Sequence, residues 1–297
     1  MQTIHHEFCP VCGSTALRHV FYARDHLVTG ESFPVIECAE CSLRFTQDAP
    51  DVSSIADYYR SEDYISHSGT SRGLVSRLYH RIRRRTLRKK RNLAERLSKA
   101  NRGRLLDVGA GTGHYLQQMK EHGWLVMGTE PSELARQAAL HLHGIELQPA
   151  SALFQFAPAS FDLITLWHVL EHLHDLHASV GQLKKLLSAA GTMLIAVPNY
   201  QSKDARAYGE YWAAYDVPRH LYHFSPQSMQ TLLQRHDLKI VKLIPMWYDS
   251  FYISLLSSRY KTGTTRFVGA LWTGLVSNAA ALKDVRRCSS IIYVVKK

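Results

Sequence analysis

No stretch of this chain stays apolar long enough to cross a bilayer; the longest, 267–282, falls short of the ~20 residues required. Residues 1–6 are polar and lead straight into Cys9, without the apolar core of a secretory leader, so a cytoplasmic protein is expected. Internal repeats and low-complexity tracts are missing too, which sets aside repeat arrays. Cysteine is scarce, five in 297 residues, too few for a disulfide-built scaffold. Acid is nearly absent from one segment: 72–104 holds fourteen lysines and arginines against Glu95 alone, and supplies the formal net charge of +11.

What is present points to a globular protein, with 45% apolar residues and room for one large α/β domain plus a small satellite. Four of the cysteines form two C-x2-C pairs, Cys9 with Cys12 and Cys38 with Cys41. Without a leader, that spacing reads as one structural zinc site rather than two disulfides, since four sulfurs close the tetrahedron. Residues 1–47 therefore read as a zinc ribbon, with strands at 17–22, 33–37 and 43–46. Cys288 stands alone and reads as a small buried hydrophobe. Residues 48–73 form a polar connector with Tyr58, Tyr59 and Tyr64. Leu74, Leu78, Ile82, Leu93 and Leu97 mark one apolar stripe of a long basic helix.

The chain then turns on Leu105-Leu106-Asp107-Val108-Gly109-Ala110-Gly111-Thr112-Gly113. A short apolar run followed by glycines and an amphipathic segment reads as a buried strand passing into a helix. Glycines there let backbone approach a ligand where a Cβ would clash, and the helix offers unpaired N–H groups. A dinucleotide oxidoreductase wants G-x-G-x-x-G. This chain has G-x-G-x-G after Asp107, an acid that a pyrophosphate would disfavour and a cationic amino-acid ligand would welcome.

Beyond this point strand and helix patterns alternate: strands at 124–130, 145–147, 161–167 and 192–197, helices at 132–143, 173–188 and 225–236. Strands at 238–244 and 290–295 bring the count to seven. Alternation means a doubly wound parallel sheet. Residues 245–287 interrupt it as an aromatic, apolar insertion or lid.

The glycine motif resembles the first motif of class I S-adenosylmethionine-dependent methyltransferases. The block Phe161-Asp162-Leu163-Ile164-Thr165-Leu166-Trp167-His168-Val169-Leu170-Glu171-His172 resembles the F-D-x6-V-L-E-H motif of their small-molecule members. The ribbon together with Tyr211-Trp212-Ala213-Ala214-Tyr215-Asp216-Val217-Pro218-Arg219-His220 resembles a bacterial ribbon-bearing group. The resemblance implies a seven-stranded Rossmann-like methyltransferase domain over 74–297 and S-adenosylmethionine as cofactor. It places Asp107, Gly109, Gly111 and Gly113 around the methionine and ribose parts, and Glu130 on the ribose hydroxyls. Adenine recognition would fall to Ser151 and Ala152, because no acid follows the third strand. Trp167 and His168 would reach the cofactor crevice. An N/D-P-P-Y turn is missing, which argues against nucleobase amino groups as acceptors.

Imidazoles titrate near neutral pH, so His168, His172, His220 and His223 are candidate bases, His168 and His220 foremost. Arg219 is expected to hold an anionic acceptor, with an ion pair to Asp216 as its alternative. The aromatics of 208–224 and the connector tyrosines are expected to wall the acceptor pocket. The reading is a methyltransferase for a small, anionic acceptor such as a sugar or lipid-linked intermediate. RNA methylation gripped by ribbon and basic helix is one alternative, and a non-catalytic cofactor-binding scaffold another. The basic helix and the insertion also leave room for peripheral membrane contact.

Overall fold

The computed structural model describes residues 2–59, 74–98 and 102–297, with only the backbone of 74–84. Tyr64 and the side chains of Leu74, Leu78 and Ile82 lie outside the described residues. In chain order the elements are β1 (Thr3–Ile4), β2 (Leu17–Arg24), β3 (Ser32–Cys38), β4 (Arg44–Thr46), β5 (Ala49–Pro50) and the long helix α1 (Leu74–Leu97). Next come β6 (Arg104–Val108), α2 (His114–Glu121), β7 (Leu125–Thr129), α3 (Glu133–His143), β8 (Phe161–Trp167) and α4 (Leu176–Leu186). The remainder is β9 (Leu187–Pro198), α5 (Lys203–Tyr208), β10 (Tyr222–His223), α6 (Pro226–Gln234), β11 (Lys239–Pro245), α7 (Asp249–Thr262), α8 (Phe267–Lys283) and β12 (Ser290–Lys296).

By compactness the chain forms two discontinuous units. One gathers Met1–Tyr64, Leu170–His177 and Ala196–Tyr293; the other holds Ile65–Val169, Ala178–Ile195 and Val294–Lys297.

The main sheet has the order β11-β12-β9-β8-β6-β7, with β6 parallel to both neighbours. Leu105, Leu106, Leu163, Ile164 and Leu166 are fully buried, as parallel strands covered on both faces require. Among the described residues this sheet has six strands, not the seven expected from the sequence. Ile145 and Leu147 are buried, but only Gln148 bridges to Thr129. The segment is squeezed between the left-handed helix cap Gly144 and Pro149, which has no N–H to extend a ladder.

In the ribbon-bearing unit β2 and β3 form an antiparallel hairpin, β4 pairs with β3, and the distant β10 pairs with β4. Phe33, Val35 and Tyr58 pack into one cluster with Tyr200, Trp212, Tyr215 and Ile253. The 245–287 segment is a helical pair in which Gly274 of α8 lets Phe251 of α7 close in; a Cβ there would meet the ring at 2.7 Å. The opposite face of α8 is open, with Val268 84% and Trp272 68% exposed. Among the described residues no helix is long and apolar enough to cross a membrane.

Asp204 fastens this unit. Its carboxylate is completely buried and accepts from Trp212 Nε1 at 2.8 Å, Ser277 Oγ at 2.5 Å and Ser289 Oγ at 2.7 Å. Asp204→Ala strands three donors at about 1–3 kcal/mol each, whereas Trp212→Phe removes one bond. Urea denaturation should therefore show a much larger loss for the first variant; equal losses would refute the network.

Candidate functional site

Strand β6 hands over to α2 through three left-handed glycines, Gly109, Gly111 and Gly113 (φ 68°, 55° and 75°). They differ in what surrounds them. A Cβ on Gly109 would lie 2.5 Å from Val169 Cγ2, so packing alone excludes a side chain. A Cβ on Gly111 would meet nothing within 4 Å, so that side of the turn is open to a ligand. Gly113 caps α2 without a side-chain bond. Glu130, just past β7, is 8% exposed and accepts from the Gly111 N–H and the Ser132 N–H, each at 2.9 Å. Its two oxygens are thus aimed, with lone pairs left for other donors.

Asp107, next to last in β6, is almost wholly buried, and Thr165 of the neighbouring β8 donates to it at 2.6 Å. Burial raises its carboxyl to about 7; the Thr165 bond and the nearby Lys90 ammonium pull it down, and Glu130 pushes it further up. Lys90 of α1 lies 4.4 Å from the centroid of the Trp167 ring, a cation–π contact. His168 follows at the end of β8 with φ 59°, in the left-handed region that non-glycine residues seldom adopt. Ser151 is exposed and Ala152 buried on the short turn Ala150–Phe154.

The four paired cysteines come together in the other unit. Cys9 Sγ lies 3.5 Å from Cys41 Sγ, Cys12 Sγ lies 3.5 Å from Cys38 Sγ, and all four sulfurs are within 4.8 Å of one another. Tetrahedral zinc with bonds of about 2.3 Å needs sulfurs ~3.8 Å apart, so the donor set fits. Each knuckle closes with the same backbone bond, Gly13 N–H to Cys9 O and Ser42 N–H to Cys38 O, both 2.9 Å. Gly13 and Ser42 are both left-handed (φ 77° and 54°). The hydrogen bond between Cys9 and Cys41 lowers the first thiol to about 5 and raises the second: one proton is shared where a cation would relieve both.

Arg219 and the aromatics of 208–224 have other work than the sequence suggested. Arg219 is 1% exposed, and its guanidinium donates to Asp216 at 2.7 Å, Asp25 at 3.0 Å and the Tyr58 carbonyl at 2.9 Å. It is spent on the fold and does not present a charge to an acceptor. Trp212, Tyr215, Tyr222 and Phe224 are buried as core, not as a pocket wall. His220 is 8% exposed and its Nδ1 lies 2.9 Å from the Ala214 carbonyl. The His172 ring stands against it edge to face at 4.6 Å, and its Nδ1 meets the Arg219 carbonyl at 2.9 Å and the Tyr59 hydroxyl at 3.0 Å. Burial, then the neighbouring His220, lowers His172 to about 4, so it is neutral at physiological pH. His223 is buried and its basicity falls for the same first reason.

Residues 79–243, more than half of the chain, match the family described as a methyltransferase domain. The chain belongs to that family. An uncharacterized methyltransferase of Alkaliphilus oremlandii is 26% identical over 38% of this chain and 54% of its own length. A ubiquinone biosynthesis O-methyltransferase of Rhodopseudomonas palustris is 31% identical over 40% of this chain and 49% of its own. The methyltransferase thus spans about half the length of the curated relatives it matches. Among solved structures, an S-adenosylmethionine-dependent methyltransferase from Archaeoglobus fulgidus has TM-score 0.50 at 16% identity, covering 72% of this chain and 94% of that one. The [4+2]-cyclase SpnF also has TM-score 0.50, at 15% identity, covering 70% and 80%. These likenesses speak to fold alone.

Sequence reasoning missed Lys90 and Thr165 of this methyltransferase. Lys90 sits three and seven residues before Leu93 and Leu97, so it lies on the apolar stripe of α1, where a lone lysine needs a partner. Thr165 faces Asp107 across the β6–β8 register, a pairing that no local pattern reveals.

Breaking a buried charge cluster by removing one member costs about 3–5 kcal/mol. Arg219→Ala should cost that much in urea denaturation, and Arg219→Lys should recover only part, because lysine cannot bridge two carboxylates and a carbonyl at once. The Arg219 bond and backbone bonds hold Asp25 below its ordinary value against the cost of burial, so this stability is lost as pH falls through the carboxylate range.

Proposed function

We propose that this methyltransferase transfers a methyl group from S-adenosylmethionine to a hydroxyl oxygen of a small molecule. The observation that carries the cofactor side is Glu130, aimed by the Gly111 and Ser132 N–H groups beside the open flank of Gly111. When bound, the cofactor supplies an electrophilic methyl group on a sulfonium. Glu130 would accept both ribose hydroxyls, Asp107 would face the cationic amino group, and Lys90 would pair with the methionine carboxylate. Ser151 and Ala152 would line the adenine, with Trp167 closing the crevice. His168 would take the proton leaving the acceptor hydroxyl; its left-handed backbone is the kind of strain held at working sites.

Oxygen as the acceptor atom draws support from the O-methyltransferase relatives. Sugar, lipid-linked and phenolic hydroxyls share that chemistry, and Arg219 lends no support to an anionic group. With a labelled methyl donor and cell extract, the label should enter a small hydroxyl compound; label entering RNA instead would overturn the reading.

Glu130→Ala removes two charge-assisted bonds of about 1.5–3 kcal/mol each, at least tenfold in cofactor affinity per bond. Calorimetry finding unchanged affinity would overturn the assignment. Asp107 adds a pH dependence. The cationic amino group favours the ionised carboxylate, so affinity should fall by about tenfold per pH unit below about 7 and level off above it. Asp107→Asn should flatten that profile.

Cys9, Cys12, Cys38 and Cys41 hold one structural zinc in this reading, with no open position for catalysis. Chelation should melt the ribbon while leaving the β6–β8 core folded, and thiol titration should then find all four cysteines. Full thermal stability with four free thiols would refute the zinc.

A further inference from the structure

We propose that Glu171, His172 and His220 form a second metal site, built for a divalent transition ion such as zinc or cobalt. One ligand atom from each, a carboxylate oxygen and two ring nitrogens, lies within 4.8 Å of the others. Glu171 is fully buried and His220 nearly so, while His172 is part-exposed and gives the ion a way in.

The hydrogen bonds fix which nitrogen each ring can offer. His172 Nδ1 lies 2.9 Å from the Arg219 carbonyl, and His220 Nδ1 lies 2.9 Å from the Ala214 carbonyl. A carbonyl only accepts, so each Nδ1 must carry the proton and donate. In a neutral ring this leaves Nε2 as a bare lone pair on both histidines. A carboxylate is also an acceptor. A carboxylate oxygen and two imidazole nitrogens with free lone pairs are the donor types a transition ion takes.

The outer contacts match what ligating histidines require. Each donates its second ring N–H to a backbone carbonyl, and the Tyr59 hydroxyl stands beside the same His172 nitrogen at 3.0 Å. The local charge also favours a cation. Asp216 lies 4.0 Å from His220 Nε2, and Arg219, the neighbouring positive group, is balanced by Asp216 and Asp25. Two imidazoles and one carboxylate suit zinc, cobalt or nickel better than magnesium or calcium, which want oxygen throughout. With bonds of about 2.1 Å, tetrahedral ligands sit ~3.4 Å apart, so binding would draw the three side chains together. Three protein ligands leave a fourth position for water or an oxygen of a ligand. The four-cysteine cluster has none.

Metal content per chain tests this on the full-length protein, dialysed against excess zinc or cobalt. Two ions per chain are expected, one of them lost in His220→Asn and in Glu171→Gln while the thermal transition is unchanged. In the cobalt form the second equivalent should add visible absorption without a thiolate-to-cobalt charge-transfer band. Cys9→Ser should affect only the first equivalent. One ion per chain in excess metal, or a second equivalent that survives both His220→Asn and Glu171→Gln, would overturn the site. Glu171→Gln keeps the test decisive if His220→Asn fails to fold.

Discussion

A single guanidinium holds the ribbon-bearing unit in register. Arg219 is buried between Asp25, at the end of the first ribbon hairpin strand, and Asp216, at the start of its own turn. It also bonds the Tyr58 carbonyl of the connector. A buried cation with one carboxylate would be a costly choice; with two carboxylates and a carbonyl, its donors are engaged. The consequence reaches the histidines. The backbone carbonyl of Arg219 itself meets His172, and the next residue is His220, so the pair owes its placement to where this arginine is pinned. The strand that follows, β10, then docks on β4 of the ribbon. Removing the charge cluster would loosen the ribbon edge and the histidine pair together.

The glycine turn and the acids flanking it were legible in the sequence because their constraints are local. Three glycines, an acid before them and an acid one strand later are set by the backbone of a strand–turn–helix, and sequence spacing reports backbone directly. The paired cysteines were legible for the same reason, since each knuckle is a five-residue turn closed on itself. Even there, Ser42 occupies the left-handed position that glycine fills in the first knuckle, a substitution that only the coordinates reveal. Where the reading failed, the deciding partner was far away in the chain. Arg219 next to Asp216 looked half available, because Asp25 stands 194 positions away. The rings of 208–224 looked like pocket lining because composition cannot say which face is covered by a hairpin built from residues 17–38. The third strand was lost to something small: a cap glycine and a proline left its buried residues too little backbone to pair.

Fold alone would not have decided the chemistry. A methyltransferase and a [4+2]-cyclase lie at the same structural distance from this chain, at 16% and 15% identity. The sheet supplies a crevice at its strand ends, and different reactions use it. What narrows the choice is the sequence match over residues 79–243 together with side chains fixed just past the ends of β7 and β8. Glu130 is such a case. Its carboxylate is fixed by two backbone N–H groups beside the open flank of Gly111. His168 is another, held in a left-handed backbone conformation that non-glycine residues seldom adopt.

The same test separates the histidines from one another. His223 is buried against the ribbon, with Thr46 Oγ1 3.2 Å from its Nε2, and serves packing. His172 and His220 differ because their Nδ1 atoms are both committed to carbonyls, which determines the state of the remaining nitrogens. Packing needs no such agreement between two rings. Two rings with the same tautomer beside a buried carboxylate offer the nitrogen and oxygen donors on which the proposed second metal site rests.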